Sequence, residues 1–289
     1  MVLMYTNYMI LLDNNQIILA NVFNSLKTDT TISEDLIRHL LLNSYRYFRK
    51  TFHEEYGELV ICQDSSNSWR KQFFPDYKAN RAKTKQKSPY DWVEIYRILN
   101  ILRQEVLETF PYKDMKIESA EADDIIAILA KHYHQTEKIL IISNDKDFQQ
   151  LQAYENVYQY GTIKRDYLKC ENPYNTLVEH IIRGDSGDGI PNILSDDDTF
   201  VDETKRQKRM TDKIISEILI EVPIIDKTKH SKNWNRNSTL IDFSKIPEDM
   251  ETTILEEYKK PKMRETRCGI LPYMVNHRLK DLISCIEEF

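Results

Sequence analysis

The feature that most constrains this chain is an apolar run that ends in acid. Residues 139–142, Ile-Leu-Ile-Ile, lead directly into Ser143-Asn144-Asp145-Lys146-Asp147-Phe148. A short unbroken run rich in β-branched side chains predicts a buried strand. Ligands and reacting groups in open α/β sheets gather beyond the carboxyl ends of the strands, which is where these two carboxylates fall. A single Asp-x-Asp is more simply a solvated loop after a strand. Here the pattern repeats. Residues 9–12 stop at Asp13, residues 59–62 reach Asp64 through Gln63, and Ile181-Ile182 precede Gly184-Asp185-Ser186-Gly187-Asp188. Two carboxylates about 4 Å apart repel by about 4 kcal/mol at an effective dielectric near 20. Protonation or bound cations would offset this, and with so many acids divalent cations are the expected answer.

Length and composition narrow the class. A chain of 289 residues with 30% charged and 41% hydrophobic side chains can bury a sizeable core and is expected to fold as one large domain with a smaller companion. No run approaches the roughly 18 apolar residues of a membrane span, and residues 1–12 lack a basic segment followed by a small-residue cleavage site. The expectation is a monomeric cytoplasmic protein without membrane contact. Cys62, Cys170, Cys268 and Cys285 form no Cys-x-x-Cys and are expected to be reduced and mostly buried. A net charge of −6 does not decide on a polyanionic partner, because such a partner binds a local patch and part of the acid is set aside for metal.

Along the chain, residues 9–22 predict a strand, a turn at Asn14-Asn15 and a second apolar segment. Residues 32–56 have helical spacing, with Leu36, Leu40 and Tyr47 on one side and Ser33 or Thr31 as cap. Between residues 69 and 87 the character changes, with seven basic residues against one acid, interleaved with aromatics. A charge run is usually a solvated face. Beside an acid cluster, however, Arg70, Lys71, Tyr77, Lys78, Arg81, Lys83 and Lys85 suit a nucleic-acid backbone and its unstacked bases, with Phe73, Phe74 and Tyr77 the stacking candidates. Residues 90–110 predict an amphipathic helix with a core stripe of Trp92, Ile95, Tyr96, Leu99 and Leu102. Ser119 is the expected cap of a following helix whose first turn holds Glu121, Asp123 and Asp124, more acid than a helix dipole needs. Residues 156–164 read as β and 174–182 as a short helix. An acidic run (Asp196-Asp197-Asp198), a basic run (residues 205–209), a helix over 211–220, a mobile loop over 228–237 and helices near 248–260 and 273–287 complete a mostly helical second region. No internal repeat or low-complexity tract interrupts the pattern.

Several chemistries fail on their spacing. Gly184-Asp185-Ser186-Gly187-Asp188 resembles a serine-protease nucleophile loop, but the glycine expected next is Asp188 and the element order is α/β. The same glycines do not make a dinucleotide fingerprint, and the chain has no P-loop. Around Asp145-Lys146-Asp147 the glycine and terminal glutamate of an EF-hand are missing, and His132-Tyr133-His134 is a surface pair without partners for zinc. What remains is a set of hard oxygen ligands: Asp13, Asp64, Glu121, Asp123, Asp145, Asp147, Asp185 and Asp188. Their number suits two Mg²⁺ ions, with Mn²⁺ as substitute. Two such ions support phosphodiester hydrolysis, and the adjoining basic segment makes nucleic-acid cleavage the expected reaction class.

These residues resemble the structure-specific 5′ nucleases of the flap endonuclease family, and its bacteriophage members most. The resemblance is carried by Asp13, Cys62-Gln63-Asp64, Tyr77-Lys78-Ala79-Asn80-Arg81, Glu121-Ala122-Asp123-Asp124, Ser143-Asn144-Asp145-Lys146-Asp147-Phe148 and Gly184-Asp185-Ser186-Gly187-Asp188-Gly189-Ile190-Pro191. Weaker echoes lie at Ile241-Asp242-Phe243 and Glu287-Glu288-Phe289. It implies a central, largely parallel sheet flanked by helices, with a helical arch at about 67–100 in a catalytic domain of residues 1–183. A smaller, mostly helical DNA-binding domain would follow over 184–289. It also implies that Asp13, Asp64, Glu121, Asp123 and Asp145 hold a first Mg²⁺, and that Asp147, Asp185 and Asp188 serve mainly a second. Asp123 and Asp145 would lie near both, and Lys78 and Arg81 would stand beside the scissile phosphate. In one respect the chain departs from cellular relatives: residues 192–198 replace their glycine-rich helix–turn–helix. Lys205, Arg206, Lys208 and Arg209 are therefore expected to take over the duplex contact.

The activity implied is a Mg²⁺-dependent 5′→3′ exonuclease and flap endonuclease that removes RNA primers and 5′ flaps in lagging-strand replication. Its partners would be DNA and RNA–DNA duplexes with a 5′ flap or fork, with a single-strand-binding protein and a sliding clamp as protein candidates. Two rivals stand beside it. A PIN-like endoribonuclease would share sheet and acids, but such domains are much shorter and lack the arch. A catalytically silent DNA-binding replication factor would have no use for a full set of buried acids.

Overall fold

The computed structural model describes residues 9–26 and 33–289. The strands form one six-stranded sheet in the order β3-β2-β1-β4-β5-β6, with β1 Met9–Asp13, β2 Glu58–Cys62, β3 Lys113–Met115, β4 Ile139–Ile142, β5 Val157–Gly161 and β6 Asp166–Leu168. Every pairing is parallel except the β5–β6 edge. Parallel strands are covered on both faces, which is why β1, β2 and β4 read as continuous apolar runs. The chain moves outward from β1 to β2 and β3 on one side, then to β4 and β5 on the other. The topological switch point thus lies between β1 and β4, beside Asp13.

The helices are α1 Asn14–Leu26, α2 Glu34–Tyr56, α3 Arg70–Phe73, α4 Ala79–Gln86, α5 Trp92–Thr109, α6 Ala122–Tyr133, α7 Pro173–Arg183, α8 Asp212–Glu221, α9 Ser231–Ile241, α10 Glu248–Lys259, α11 Ile270–Asn276 and α12 Lys280–Ile283. Alternate strand residues feed two cores. Ile10, Leu12, Leu59, Ile61, Leu140 and Ile142 pack with α1, α2 and α5, and with Ile270, Met274, Leu282 and Phe289. Met9, Leu11, Val60, Cys62, Ile139 and Ile141 pack under α6, with Phe243, Ile246 and Ile254. Residues 243–289 therefore complete both faces of the sheet, so the expected division at 183/184 is not where the packing divides. The separate part is a helical lobe over 173–241. One of its cores joins Ile181, Ile190, Leu240 and Ile241 to Phe74 and Tyr77, and the other holds Val178, Ile182, Ile193, Ile215 and Ile218.

Several local expectations are corrected. No turn separates β1 from α1: Asn14 is buried, accepts a hydrogen bond from Tyr45 (2.7 Å) and donates to Gln63 (3.1 Å), so the chain enters the helix at once. Helix α2 is capped by Ser33, but it buries Ile37, Leu41, Tyr45, Phe48 and Phe52 while Leu36 and Tyr47 are exposed. In α5 the stripe is Ile95, Ile98, Leu102 and Val106, with Tyr96 exposed. The cap of α6 is Glu121, not Ser119, and Glu121 and Asp124 form a reciprocal capping box. Residues 228–237, expected to be mobile, include most of α9. There Arg236 donates to Pro191 and Asn192 carbonyls and pairs with Asp197 (2.6 Å), while Lys232 pairs with Asp197 (2.8 Å). Residues 273–287 break into α11, α12 and a short 3₁₀ turn rather than one helix. Of the four free cysteines only Cys62 is buried, and Cys268 is exposed. Among the described residues, no helix is long and apolar enough to cross a membrane.

Candidate active site

The acids gather at the carboxyl edge of β1, β2 and β4, at the N-terminus of α6 and in the loop after α7. Asp13 ends β1, and one of its oxygens caps α1 through the amide of Gln16 (3.4 Å). Its other oxygen accepts the hydroxyl of the fully buried Ser143 (2.9 Å), which also accepts the Asp145 amide (3.0 Å). Ser143 thus ties β1 to the loop after β4 across the switch point. Gln16 adds to the same tie by accepting from the amide of Asn144 (2.6 Å). Asp64 accepts from Asn15 (2.7 Å) and from the amide of Ala122 (2.9 Å), at the positive end of α6. Asp145 accepts the Asp147 amide (3.0 Å) and opens the 3₁₀ segment Lys146–Ala153.

Charge accumulates here. Burial, then the charges of Asp64 and Asp145, push Asp13 up to about 7. Burial raises Asp123 well above its ordinary value, with Asp13, Asp145 and Asp64 as its charged neighbours. A second group adjoins the first through Asp145. Burial pushes Asp147 up to about 7 against the opposing charge of His180, and Asp145, Asp185 and Asp188 add to the push. Asp185 goes the other way: despite its burial, the hydrogen bond from His180 and the Lys146 ammonium (3.1 Å) hold it well below its usual range. Asp13, Asp64, Asp123 and Asp145 thus form one acidic group and Asp147, Asp185 and His180 another.

Glu121 and Asp188 are engaged differently. Lys78 pairs with Glu121 and lies 3.5 Å from Asp188, Arg81 pairs with Asp188, and the Tyr77 hydroxyl lies 2.9 Å from both acids. Although burial raises it, the charges of Lys78 and Arg70 hold Glu121 below its ordinary value. Lys78 sits in the left-handed region (φ 59°), its amide donating to the Asp188 carbonyl (2.7 Å). Gly189 (φ 73°) makes the matching close approach, because a Cβ there would lie 3.2 Å from the Asp76 carbonyl. The segment between β2 and α5 is thereby pinned across the carboxyl edge onto the loop after α7.

The basic residues divide. Lys71, Lys78, Arg81 and Lys85 line a cleft of about 560 Å³ with Asp64 and Glu121, joined by Arg103 and Lys116, which sequence reasoning missed. Lys85 lies over the Trp92 and Tyr96 rings, 5.1 and 4.8 Å away. Arg70 does not belong to this set. It is 2% exposed and its guanidinium is spent on Glu121 (3.0 Å), Asp124 (2.9 Å) and the Leu240 carbonyl (2.8 Å). Phe74 and Tyr77 are buried, leaving Phe73 as the exposed aromatic. The side chain of Lys83 lies outside the described residues. In the strip at 205–209, Lys205 turns back on Asp198 (2.6 Å), and Arg206 donates to the carbonyls of Glu203 and Lys205 (3.2 Å each), while Lys208 and Arg209 are exposed. Ahead of the strip, residues 192–198 form turns around buried Asn192, which donates to the Lys208 carbonyl (2.7 Å).

Sequence reasoning also missed His180, which lies between Asp147 and Asp185 at 3.2 Å from each. Its only sequence signal is that it precedes Gly184 by one helical turn of α7.

Fold and site together define a nuclease-type α/β sheet with acids massed at the switch point. Residues 8–175 match the 5′-3′ exonuclease N-terminal resolvase-like domain, and residues 173–289 match the T4 RNase H C-terminal domain. The chain belongs to the 5′-3′ exonuclease family. Over 99% of its length it is 30% identical to ribonuclease H of Enterobacteria phage T4, covering 97% of that protein. A flap endonuclease Xni of Shewanella sp. (strain MR-4) is 32% identical over 46% of this chain and 51% of its own. In fold it is similar to the bacteriophage T5 D15 flap endonuclease solved with DNA and metal ions, with a TM-score of 0.62 and 18% identity, covering 87% of this chain and 99% of that one.

Proposed function

We propose that this protein is a Mg²⁺-dependent 5′→3′ exonuclease and flap endonuclease that removes RNA primers and 5′ flaps during lagging-strand DNA replication in a cytoplasm. The observation that carries the reading is the meeting of two acidic groups through Asp145, beside a cleft lined by Lys78 and Arg81. A donor set of buried carboxylates, in which burial first and neighbouring acids second push Asp13 and Asp147 up to about 7, fits divalent cations, which would offset both the burial of charge and the repulsion. The metals, when bound, supply an activated water and stabilise the leaving oxygen.

The rest of the work falls to side chains. Ser143 and Gln16 hold Asp13 and the Asp145 loop in one frame, and Asn15 and the start of α6 orient Asp64. Lys78 and Arg81 exchange their pairs with Glu121 and Asp188 for the scissile phosphate and stabilise the charge that develops on it. We assign the catalytic role to residues 1–183 together with Asp185 and Asp188 at the start of the following segment, and duplex binding to residues 184–289, where Lys208 and Arg209 offer exposed positive charge. The substrate is a duplex with a 5′ flap or fork, either DNA or RNA–DNA, with a single-strand-binding protein and a sliding clamp as candidate partners.

The test is cleavage of a 5′-flap duplex with and without Mg²⁺, comparing wild type with Asp145→Asn. Cutting near the junction that the variant loses, while it still binds the flap, is the expected result. Cutting of single-stranded RNA alone would move the assignment to a PIN-like endoribonuclease. Binding without cutting under any divalent ion would leave a silent replication factor.

A further inference from the structure

His180 sits inside the second acidic group, on the last turn of α7, with its side chain 10% exposed. Its Nε2 is hydrogen-bonded to Oδ2 of Asp185 at 3.2 Å. Its Nδ1 lies 3.2 Å from Oδ1 of Asp147, and that oxygen is buried without accepting any hydrogen bond. The two ends of the ring therefore differ. With the proton on Nε2, shared with Asp185, the lone pair of Nδ1 faces an orphaned carboxylate oxygen. Two acceptors in contact require a proton or a cation between them. The 3.2 Å separation is close to that of two adjacent ligands on an octahedral ion, for which bonds of about 2.1 Å give roughly 3 Å.

Asp185 is placed to orient the ring. Its Oδ1 accepts the amides of Gly187 (2.8 Å) and Asp188 (3.2 Å), and its Oδ2 takes His180 and Lys146. A carboxylate that holds the far nitrogen of an imidazole sets the tautomer and raises the basicity of the near one.

We propose that His180 is a direct nitrogen ligand, through Nδ1, of a divalent ion shared with Oδ1 of Asp147, and that Asp185 positions its ring. This rests on the reading of the acids as a metal centre and adds its selectivity. An all-oxygen site suits Mg²⁺, whereas an imidazole nitrogen shifts preference toward Mn²⁺ and other transition ions. Of the two positions, the one at Asp147 is therefore the one that discriminates.

The experiment uses the full chain loaded with Mn²⁺ alone and reads ¹⁴N couplings by pulsed electron paramagnetic resonance. The expected result is a coupling typical of a coordinated imidazole. It should change in wild-type protein labelled with ¹⁵N-histidine, a measurement that needs no variant to fold. His180→Gln should abolish the coupling and lower Mn²⁺ affinity at one site by roughly tenfold or more, with a smaller change for Mg²⁺. Bound Mn²⁺ with no nitrogen coupling would overturn the proposal and leave the oxygen-ligated centre standing, with His180 as a mere counter-charge. Failure of wild type to bind Mn²⁺ at all would overturn both.

Discussion

Arg70 offers the sharpest test of how charge is used beside the site. A basic residue at the head of a basic run is expected on sequence grounds to touch phosphate. In the structure it is sealed between Trp69 and Tyr77, whose rings lie 4.7 and 6.0 Å from its guanidinium carbon. It neutralises Glu121 and the fully buried Asp124 and donates to the Leu240 carbonyl in the helical lobe. Arg70→Met keeps most of the volume and removes the charge. Breaking a buried pair leaves the partner uncompensated and costs about 3–5 kcal/mol. For a chain of this size that is a fall in melting temperature of roughly 5–8 °C. Calorimetry reads this directly, and the salt dependence of flap-duplex binding, measured well below the melting range, reads the rival role. The expected outcome is a large loss of stability with an unchanged salt slope. A melting temperature within about 2 °C of wild type, with the slope reduced by about one phosphate contact, would refute the structural assignment. Combining Arg70→Met with Asp124→Asn should recover part of the loss, because the orphaned charge goes with its partner.

Two further outcomes concern protons. Glu137 is 5% exposed, one of its oxygens has no hydrogen-bond partner, and burial pushes it up to about 7. A carboxyl whose folded value is raised stabilises fully below its unfolded value near 4.5 and loses that contribution as pH rises through about 7. Glu137→Gln should therefore match wild type at about pH 4.5 and exceed it by on the order of 1 kcal/mol at about pH 8 in urea titrations, and an equal gap at both values would refute this. Asp13 and Asp147, also raised to about 7, make the metal-free protein lose stability over the same direction of pH. Mg²⁺ must displace their protons, so the rise in melting temperature on adding Mg²⁺ should grow between about pH 6 and pH 8. A rise independent of pH would mean that these acids are already ionised without metal.

Much of the architecture and the acid set is legible in one dimension because both follow from local pattern. Parallel strands buried on two faces must read as short apolar runs, and the residue after such a run is delivered to the carboxyl edge of the sheet. The strand-end positions of Asp13, Asp64 and Asp145 therefore follow from sequence alone. So does the helix that carries Asp123, whose apolar spacing begins at Ala122.

Only the tertiary structure decided which charges are free. Arg70 and Lys71 are adjacent and chemically alike, yet one is a buried tie and the other lines the cleft, because α3 turns one toward Asp124 and the other toward solvent. Asn14 looks like a turn residue until Tyr45 and Gln63, far along the chain, satisfy its amide and let α1 begin. His180 falls on an ordinary amphipathic helix and gains its place from Asp147, which lies on a different element and meets α7 only through tertiary packing. A sequence records the charge and period of each segment. The partner that satisfies a buried polar group comes from packing across long separations in the chain, and nothing local encodes it.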